Sequence, residues 1–414
     1  MSSPSTAGVV VVGGGQAGFS VVSTLRASGY DGPVTVFAAE PHLPYQRPPL
    51  SKKAHTDPVR VELVPESFYR ERNIDVRLGD DVIAVDTAAR TVTTASGARV
   101  PYEHLVLATG AHNRPLPVPG AELDGVHALR SLDDALAIGG ALATAREVVV
   151  IGGGFIGLEL AQVARARGGR VTVVELAGRL LSRAVSSQVE EHLRERHERV
   201  GVRILTGTAV RAIEGTERVR RVVTDRGVLP ADLVVYGIGA APRDELARDA
   251  GLAVDDGVIV DEQLRSITDP RVFAVGDCAR HPNPYADGLV RLESVPNATD
   301  QGTLVGRRIA GSPGVPYASL PWFWSDQGDI KLQIAGLRVS SDDVYLATGG
   351  SPERLAAYAF RDDRLVAVET LNWPAEHLAA RRLLEQDAPV CAADLTGSTL
   401  GALTRARRAA GVRG

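Results

Sequence analysis

A run of β-branched residues that ends in G-x-G-x-x-G occurs twice in this chain. The first copy is VVVVGGGQAG, with Gly13, Gly15 and Gly18, and the second is VVVIGGGFIG, with Gly152, Gly154 and Gly157. A strand that feeds a glycine turn and opens a helix aims backbone N–H groups and the positive helix end at one point, where a pyrophosphate is stabilised. One such turn is a weak signal, because glycine turns also serve plain strand–helix packing. Two of them, each behind an apolar strand and about a domain apart, predict two dinucleotide sites.

The 414 residues are enough for two or three domains with ample core. A formal net charge of -4 argues against nucleic acid as the main partner. No apolar run reaches the length of a membrane span, and the start, MSSPSTAG, lacks the basic and apolar stretches of a secretion signal. Cys278 and Cys391 are the only cysteines, which leaves no C-x-x-C pair, zinc ligand set or disulfide framework and fits a reducing cytoplasm.

The order of strands and helices predicts an α/β chain in which one Rossmann-like dinucleotide domain is inserted in another and an α+β domain follows. The expected segments are 1–113 (first nucleotide domain, first part), 114–244 (second nucleotide domain), 245–320 (first domain, continued) and 321–414. The proline-rich RPLPVPG, Arg114 to Gly120, reads as an extended linker at the first boundary. The texture changes again at Pro321, where WFWSDQ opens a series of short strands that ends in helices from about His377.

An acid about 20 residues after the glycine turn, at the end of the next strand, binds a ribose hydroxyl. In the second unit VTVVE supplies Glu175. Its carboxylate accepts the 2′-OH and repels a 2′-phosphate, so NADH is expected over NADPH. Arg179 and Arg183 lie close by and read as a solvated helix face, although an arginine near that ribose favours a phosphate. In the first unit the strand VTVFAAEP ends in Ala38 and Ala39, and the acid is delayed to Glu40. Glu40 reads equally as a ribose ligand and as a surface loop residue.

Six ordered segments carry a resemblance over nearly the whole chain: YQRPPLSK, LVLATGA, GGGFIGLE, VFAVGDCA, VRLESVPNA and PWFWSDQ. Together they are similar to the FAD-dependent ferredoxin reductases of bacterial cytochrome P450 and dioxygenase systems, the putidaredoxin reductase and rhodocoxin reductase group. The resemblance implies a glutathione-reductase-like architecture, FAD on the N-terminal domain and NADH on the inserted one. It also implies electron delivery to a [2Fe-2S] ferredoxin that supplies a cytochrome P450 or other oxygenase. It carries FAD contacts to Gly13, Gly15, Ala17, Gly18, Ala39, Glu40, Lys52, Val82, Ala108, Arg130, Asp277 and Val295. NAD contacts fall on Gly152, Gly154, Phe155, Ile156, Gly157, Glu159, Glu175 and Gly239. The family usually has an acid where this chain has Ala39.

Lys52, Glu159 and Trp324 are the candidates closest to the chemistry. Lys52 follows Pro48 and Pro49, which restrict the backbone and aim a cation; by itself it reads as a surface lysine. Asp277 follows Gly276 at a strand end, where a carboxylate accepts from ribityl hydroxyls. Val295 precedes a helix expected from about Asn297, whose positive end favours charge developing on a reduced flavin. Glu159 reads as a first-turn acid stabilised by the helix dipole, whereas the resemblance puts it, with Phe155 and Ile156, beside the nicotinamide. Trp322 and Trp324 read either as core aromatics or as a shield for the flavin and a ferredoxin surface. The C-terminal LTRARRAAGVRG holds Arg405, Arg407, Arg408 and Arg413 and reads as a frayed basic tail or a steering surface for an acidic ferredoxin.

Two other classes share the nucleotide folds. A flavin disulfide reductase needs a C-x₄-C pair next to the flavin, and an NADH oxidase or peroxidase a redox cysteine or an open oxygen site; the N-terminal stretch, residues 1–113, holds no cysteine. A non-enzymatic protein, whose binding surface answers to the redox state of its cofactors, is separated from an enzyme by steady turnover with a ferredoxin.

Overall fold

The computed structural model describes residues 7–52 and 61–409. The chain divides into two compact units, one made of Met1–Gln46, Arg60–His112 and Ala241–Pro321, the other of Arg47–Val59, Asn113–Ala240 and Trp322–Gly414.

In the first unit the buried run GVVVV forms a central strand, Gly8–Val12. It lies parallel between Val34–Ala38 and Arg99–Leu107, with Val9 opposite Val34 and Val12 opposite Leu107. Ile74–Leu78 extends one side and Val272–Ala274 joins Arg99–Leu107 on the other, so the late VFAV segment completes a sheet begun at residue 8. Such a run, apolar at every position, suits a parallel strand covered on both faces. The helices Gln16–Ala27 and Val295–Ile309 pack against each other. Glycine makes their approach close: a Cβ on Gly302 would stand 2.6 Å from the Ala17 carbonyl oxygen and 2.7 Å from the Ser20 Cβ.

The second unit repeats the theme. Val202–Leu205, Arg170–Val174, Glu147–Ile151, Leu233–Tyr236 and Val126–Ala128 form a parallel sheet in that order. A three-stranded antiparallel sheet, Val210–Gly215, Val219–Thr224 and Gly227–Pro230, follows. From Trp322 onward the unit carries a five-stranded antiparallel sheet backed by the helices Pro374–Glu385 and Leu400–Ala409. The buried Glu369 ties this sheet to the start of the helix Ser187–Arg199: the helix cap Ser186 donates to it from its amide at 2.9 Å and its hydroxyl at 2.6 Å, and Arg338 Nε lies 3.1 Å away.

The C-terminal segment is a helix to Ala409 rather than the frayed tail the sequence suggests. The buried Glu376 accepts from the amides of Leu400 and Gly401 at its start. Arg407 donates to the Pro389 carbonyl at 2.6 Å, while Arg405 and Arg408 are exposed. Arg413 lies outside the described residues.

Replacing Gly302 by Ala forces the helices Gln16–Ala27 and Val295–Ile309 apart, because the new methyl meets backbone and a short Ser20 side chain. We expect a loss of about 1–3 kcal/mol, read as a lower Tm; a variant that melts with the parent would contradict the tight helix pair.

Candidate functional site

The two glycine turns have the same geometry. Gly13 and Gly152 have φ of +125° and +106°, a backbone region that favours glycine, and a Cβ on either would collide with a carbonyl oxygen, of Ala108 and Gly237 respectively. Gly18 and Gly157 each press on the carbonyl oxygen of the first glycine of their own turn, so helix and strand touch without a side chain between them. The middle glycines differ. A Cβ on Gly15 or Gly154 would meet nothing within 4 Å. Each therefore caps its helix, with no side-chain cap bond, beside open space where backbone amides are free to face a pyrophosphate. The residues fit a dinucleotide at both turns.

Around the first turn, Ala108 backs Gly13, and Ala17 packs against Gly276, whose Cβ would lie 3.0 Å from the Ala17 Cβ. Asp277 sits half-buried in the short helical turn Gly276–Cys278, positioned by the Gly276 amide, which donates to Gln301 Oε1 at 2.7 Å. The helix expected from Asn297 begins at Val295, because Ser294 caps it by accepting from the Asn297 amide at 3.2 Å and Pro296 is tolerated in a first turn. Val295 is thus the first helical residue rather than one preceding the helix. Ala39 is exposed, and Ala38 fills the space beside Gly14. Glu40 is half-buried and accepts from the Tyr45 hydroxyl at 2.6 Å, so it is an anchored acid. Val82 is a buried core valine at the start of Val82–Asp86.

At the second turn, Glu175 reaches back: Oε2 accepts from the Gly153 amide at 2.6 Å and Oε1 from the Ala177 amide at 2.7 Å. Both oxygens keep a lone pair for a ribose hydroxyl. Residues 176–185 form turns, not the helix face expected for Arg179 and Arg183. Arg179 holds that turn by donating to the carbonyls of Val185 at 2.9 Å and Ser182 at 2.6 Å. Arg183 is exposed, and its Nη2 and the Arg114 Cδ would each stand 3.8 Å from a Cβ on Gly239, whose φ is +111°. The sequence reading missed Leu176, an apolar side chain 73% exposed directly after Glu175.

Glu159 is not a first-turn acid. Its helix runs Phe155–Ala166 with no acid in the first turn, and Glu159 is buried one turn further in. Lys52 Nζ lies 2.9 Å from Glu159 Oε2, and Ser51 donates to the same oxygen. Ser325 donates to Glu159 Oε1 at 2.6 Å. Lys52, which reads in isolation as a surface lysine, is therefore ion-paired to the buried acid. Arg130 is half-buried, its amide donating to Asp134 Oδ2 at 2.9 Å and its carbonyl accepting from Arg47 Nη1. Phe155 packs on Phe323 at 4.5 Å between ring centroids, and Ile156 is exposed.

Trp324 is half-buried and stacks on Trp322 at 5.5 Å, and the Arg381 guanidinium lies 4.3 Å above the Trp322 ring. The pair stands on one face of Trp322–Gln327, and the buried Ser325 and Gln327 occupy the other. Strand alternation in WFWSDQ was the signal that separates these two sets.

Two glycine turns that fit a dinucleotide, each on its own parallel sheet, define a dinucleotide-dependent oxidoreductase fold. Residues 7–302 match the pyridine nucleotide-disulphide oxidoreductase family and residues 322–400 the reductase C-terminal family. The chain is 42% identical over 387 residues to rhodocoxin reductase from Rhodococcus erythropolis, covering 92% of this chain and 90% of that one. Among solved structures it is similar to the ferredoxin reductase for the CYP199A2 system from Rhodopseudomonas palustris. That likeness has 40% identity and a TM-score of 0.93, over 96% of this chain and 99% of the other. It is also similar to the putidaredoxin reductase of a covalent complex with putidaredoxin, at 35% identity and a TM-score of 0.92, over 97% and 99%. The chain belongs to the pyridine nucleotide-disulphide oxidoreductase family, within its group of ferredoxin reductases. Like that family, it contains FAD and uses NAD(H).

The disulphide of the family's description has no counterpart in the first 277 residues, which lack cysteine. Cys278 is fully buried, its Sγ 3.4 Å from the carbonyls of Leu107 and Val275, and burial pushes its thiol pKa up. A raised pKa leaves the thiol protonated and unreactive. In the folded protein Cys278 should resist iodoacetamide near neutral pH, and the Cys278→Ser, Cys391→Ser protein should keep most of its turnover. Loss of turnover with flavin content intact would give a cysteine a redox role.

Glu175→Ala should narrow the preference for NADH over NADPH by removing an acceptor and a phosphate-repelling charge, each about 1–3 kcal/mol. Coenzyme kcat/KM ratios measure it. An unchanged ratio would place the discrimination elsewhere, with Arg183 the next residue to test.

Proposed function

We propose that this protein is an NADH-dependent reductase that passes electrons through FAD to a [2Fe-2S] ferredoxin, which supplies a cytochrome P450 or another oxygenase. The observation that carries this reading is the pair of equivalent glycine turns, each with an open middle glycine, in a chain similar to rhodocoxin reductase along almost its whole length. FAD, when bound, accepts a hydride from NADH and releases electrons singly, which matches a two-electron donor to a one-electron iron–sulfur acceptor.

The protein's own residues bind, orient and tune. Gly13, Gly15 and Gly18 hold the FAD pyrophosphate on backbone amides, and Asp277 accepts from hydroxyls of the chain that follows it. Val295, at the first turn of its helix, presents the positive helix end and stabilises negative charge on a reduced flavin. Gly152, Gly154 and Gly157 hold the pyrophosphate of NADH, Glu175 its adenosine ribose, and Glu159 orients the nicotinamide carboxamide beside Phe155. Glu159 acts there as an acceptor held in place, because Lys52 and two hydroxyls donate to it. Trp324 and Trp322 offer a half-exposed aromatic face to the ferredoxin.

Among the described residues no helix is long and apolar enough to cross a membrane, and no cluster of three His, Cys, Asp or Glu could hold a metal ion. We place the protein in the cytoplasm, where NADH and reduced thiols are available.

The purified protein should be yellow, release FAD on acid denaturation, and reduce a [2Fe-2S] ferredoxin with NADH under anaerobic conditions. A colourless protein that FAD does not reconstitute would overturn the reading. Flavin reduction by NADH without electron transfer to any ferredoxin would point to a different acceptor.

A further inference from the structure

Behind Glu159 runs a buried line of polar side chains that the proposed reaction does not use. Ser325 Oγ lies 2.6 Å from Glu159 Oε1, Gln327 Nε2 lies 3.2 Å from Ser325 Oγ, and His197 Nε2 lies 2.8 Å from Gln327 Oε1. Gln162 Nε2 closes the line 3.1 Å from His197 Nδ1. Ser325, Gln327 and His197 are all 0% exposed, and Glu159 is 5% exposed. Four buried polar groups in series cost desolvation unless every donor meets an acceptor.

The donor inventory fixes the direction of each bond. An ionised Glu159 only accepts, so the single Ser325 proton goes to it. Ser325 Oγ must then accept from Gln327, which turns the Gln327 amide nitrogen toward Ser325 and its oxygen toward His197. His197 must therefore carry its proton on Nε2, and with that proton placed, Nδ1 of the neutral ring accepts from Gln162. Burial favours the neutral ring. Reverse any one link and the serine proton loses its assignment. Among nearby charges, Asp329 is already paired with Arg196 at 2.6 Å.

We propose that Gln327 and His197 are positioning residues, whose one-way hydrogen-bond chain commits the Ser325 hydroxyl to Glu159 and holds that carboxylate in one orientation for NADH. The proposal rests on the reading of Glu159 as a nicotinamide-side group. Gln327 acts through Ser325 and touches no substrate. Hydrogen bonds in series polarise one another, so the far end of the line matters to the near end.

Gln327→Glu is the discriminating variant. It keeps the volume and still accepts from His197, but as a carboxylate it draws the Ser325 proton away from Glu159 and reverses the last link. Flavin reduction by NADH, followed anaerobically in the flavin-loaded protein, should slow about tenfold or more. The NAD⁺ dissociation constant from calorimetry should stay within about threefold, the signature of lost orientation rather than lost binding. Ser325→Ala should show the same split and Ser325→Thr should restore the rate; these two serve if Gln327→Glu does not accumulate. Separately, ¹⁵N shifts of the histidine-labelled flavin-loaded protein at neutral pH, with His197 assigned by its loss in His197→Gln, should report a neutral ring protonated on Nε2.

A proton on Nδ1, or a charged ring, would overturn the chain whatever Glu159 does. Wild-type reduction rates in Gln327→Glu and Ser325→Ala, with Glu159→Gln slow, would overturn the positioning role. If Glu159→Gln is also as fast as wild type, the reading of Glu159 has failed, and the His197 tautomer alone decides the chain.

Discussion

The contact on which both nucleotide sites depend is between a glycine and a carbonyl oxygen. At Gly18 and Gly157 the space a Cβ would fill is taken by the carbonyl oxygen of the first glycine in the turn. That contact draws the helix start against the strand end and fixes the direction of the first helical amides. The open space at Gly15 and Gly154 is its complement, since backbone must be tight on one side of the turn for amides to stand free on the other. Any side chain at the third glycine would lift the helix off the sheet and scatter the donors a pyrophosphate needs.

The two turns then part company in their charge. At the second, Glu175 places a carboxylate on the amide of the middle of the turn. At the first, the corresponding space beside Gly14 holds the methyl of Ala38, and the nearest acid, Glu40, is kept in place by Tyr45. A carboxylate bonded to two backbone amides is preorganised and would cost little ordering when a ligand arrives. Arg179 is committed to two carbonyls and serves the turn.

What the sequence revealed follows from range. The glycine turns and the apolar parallel strands are local patterns, set by backbone sterics and apolar runs, and the structure contains them where the residues put them; the alternation in WFWSDQ is equally local but went unread. The start of the helix at Val295 was also local, written in Ser294 as a cap, and was misplaced by two residues because Pro296 reads as a breaker before it reads as a first-turn residue. The buried cluster around Glu159 is different. Ser51 and Ser325 lie 108 and 166 positions from their shared partner, and no periodicity links residues that far apart. Lys52 looks like a surface cation until the fold brings it to Glu159, and the only local sign of His197's burial is that it continues the stripe of Val189 and Leu193 in a helix otherwise rich in charge.

Such a cluster is costly, and that is informative. Replacing the whole set, Glu159 with its partner Lys52 and Ser325, Gln327 and His197, by well-packed apolar residues is the kind of change that is often neutral or better for stability, because apolar groups need no partners. The same holds for Glu369, whose carboxylate joins Ser186 and Arg338 where apolar packing would serve cohesion equally well. Polar groups do what apolar ones cannot: they fix the relative position of two elements to the length of a hydrogen bond. Glu369 fixes the antiparallel sheet against the helix that Ser186 caps. That in turn sets where the strand bearing Ser325 and Trp324 lies, one face toward Glu159 and the other toward the surface. A slip of the strand register by one residue would exchange the two faces, burying the tryptophans and exposing Ser325. The buried polar contacts and the aromatic face are therefore specified together by one strand, with Glu369 holding its sheet in place.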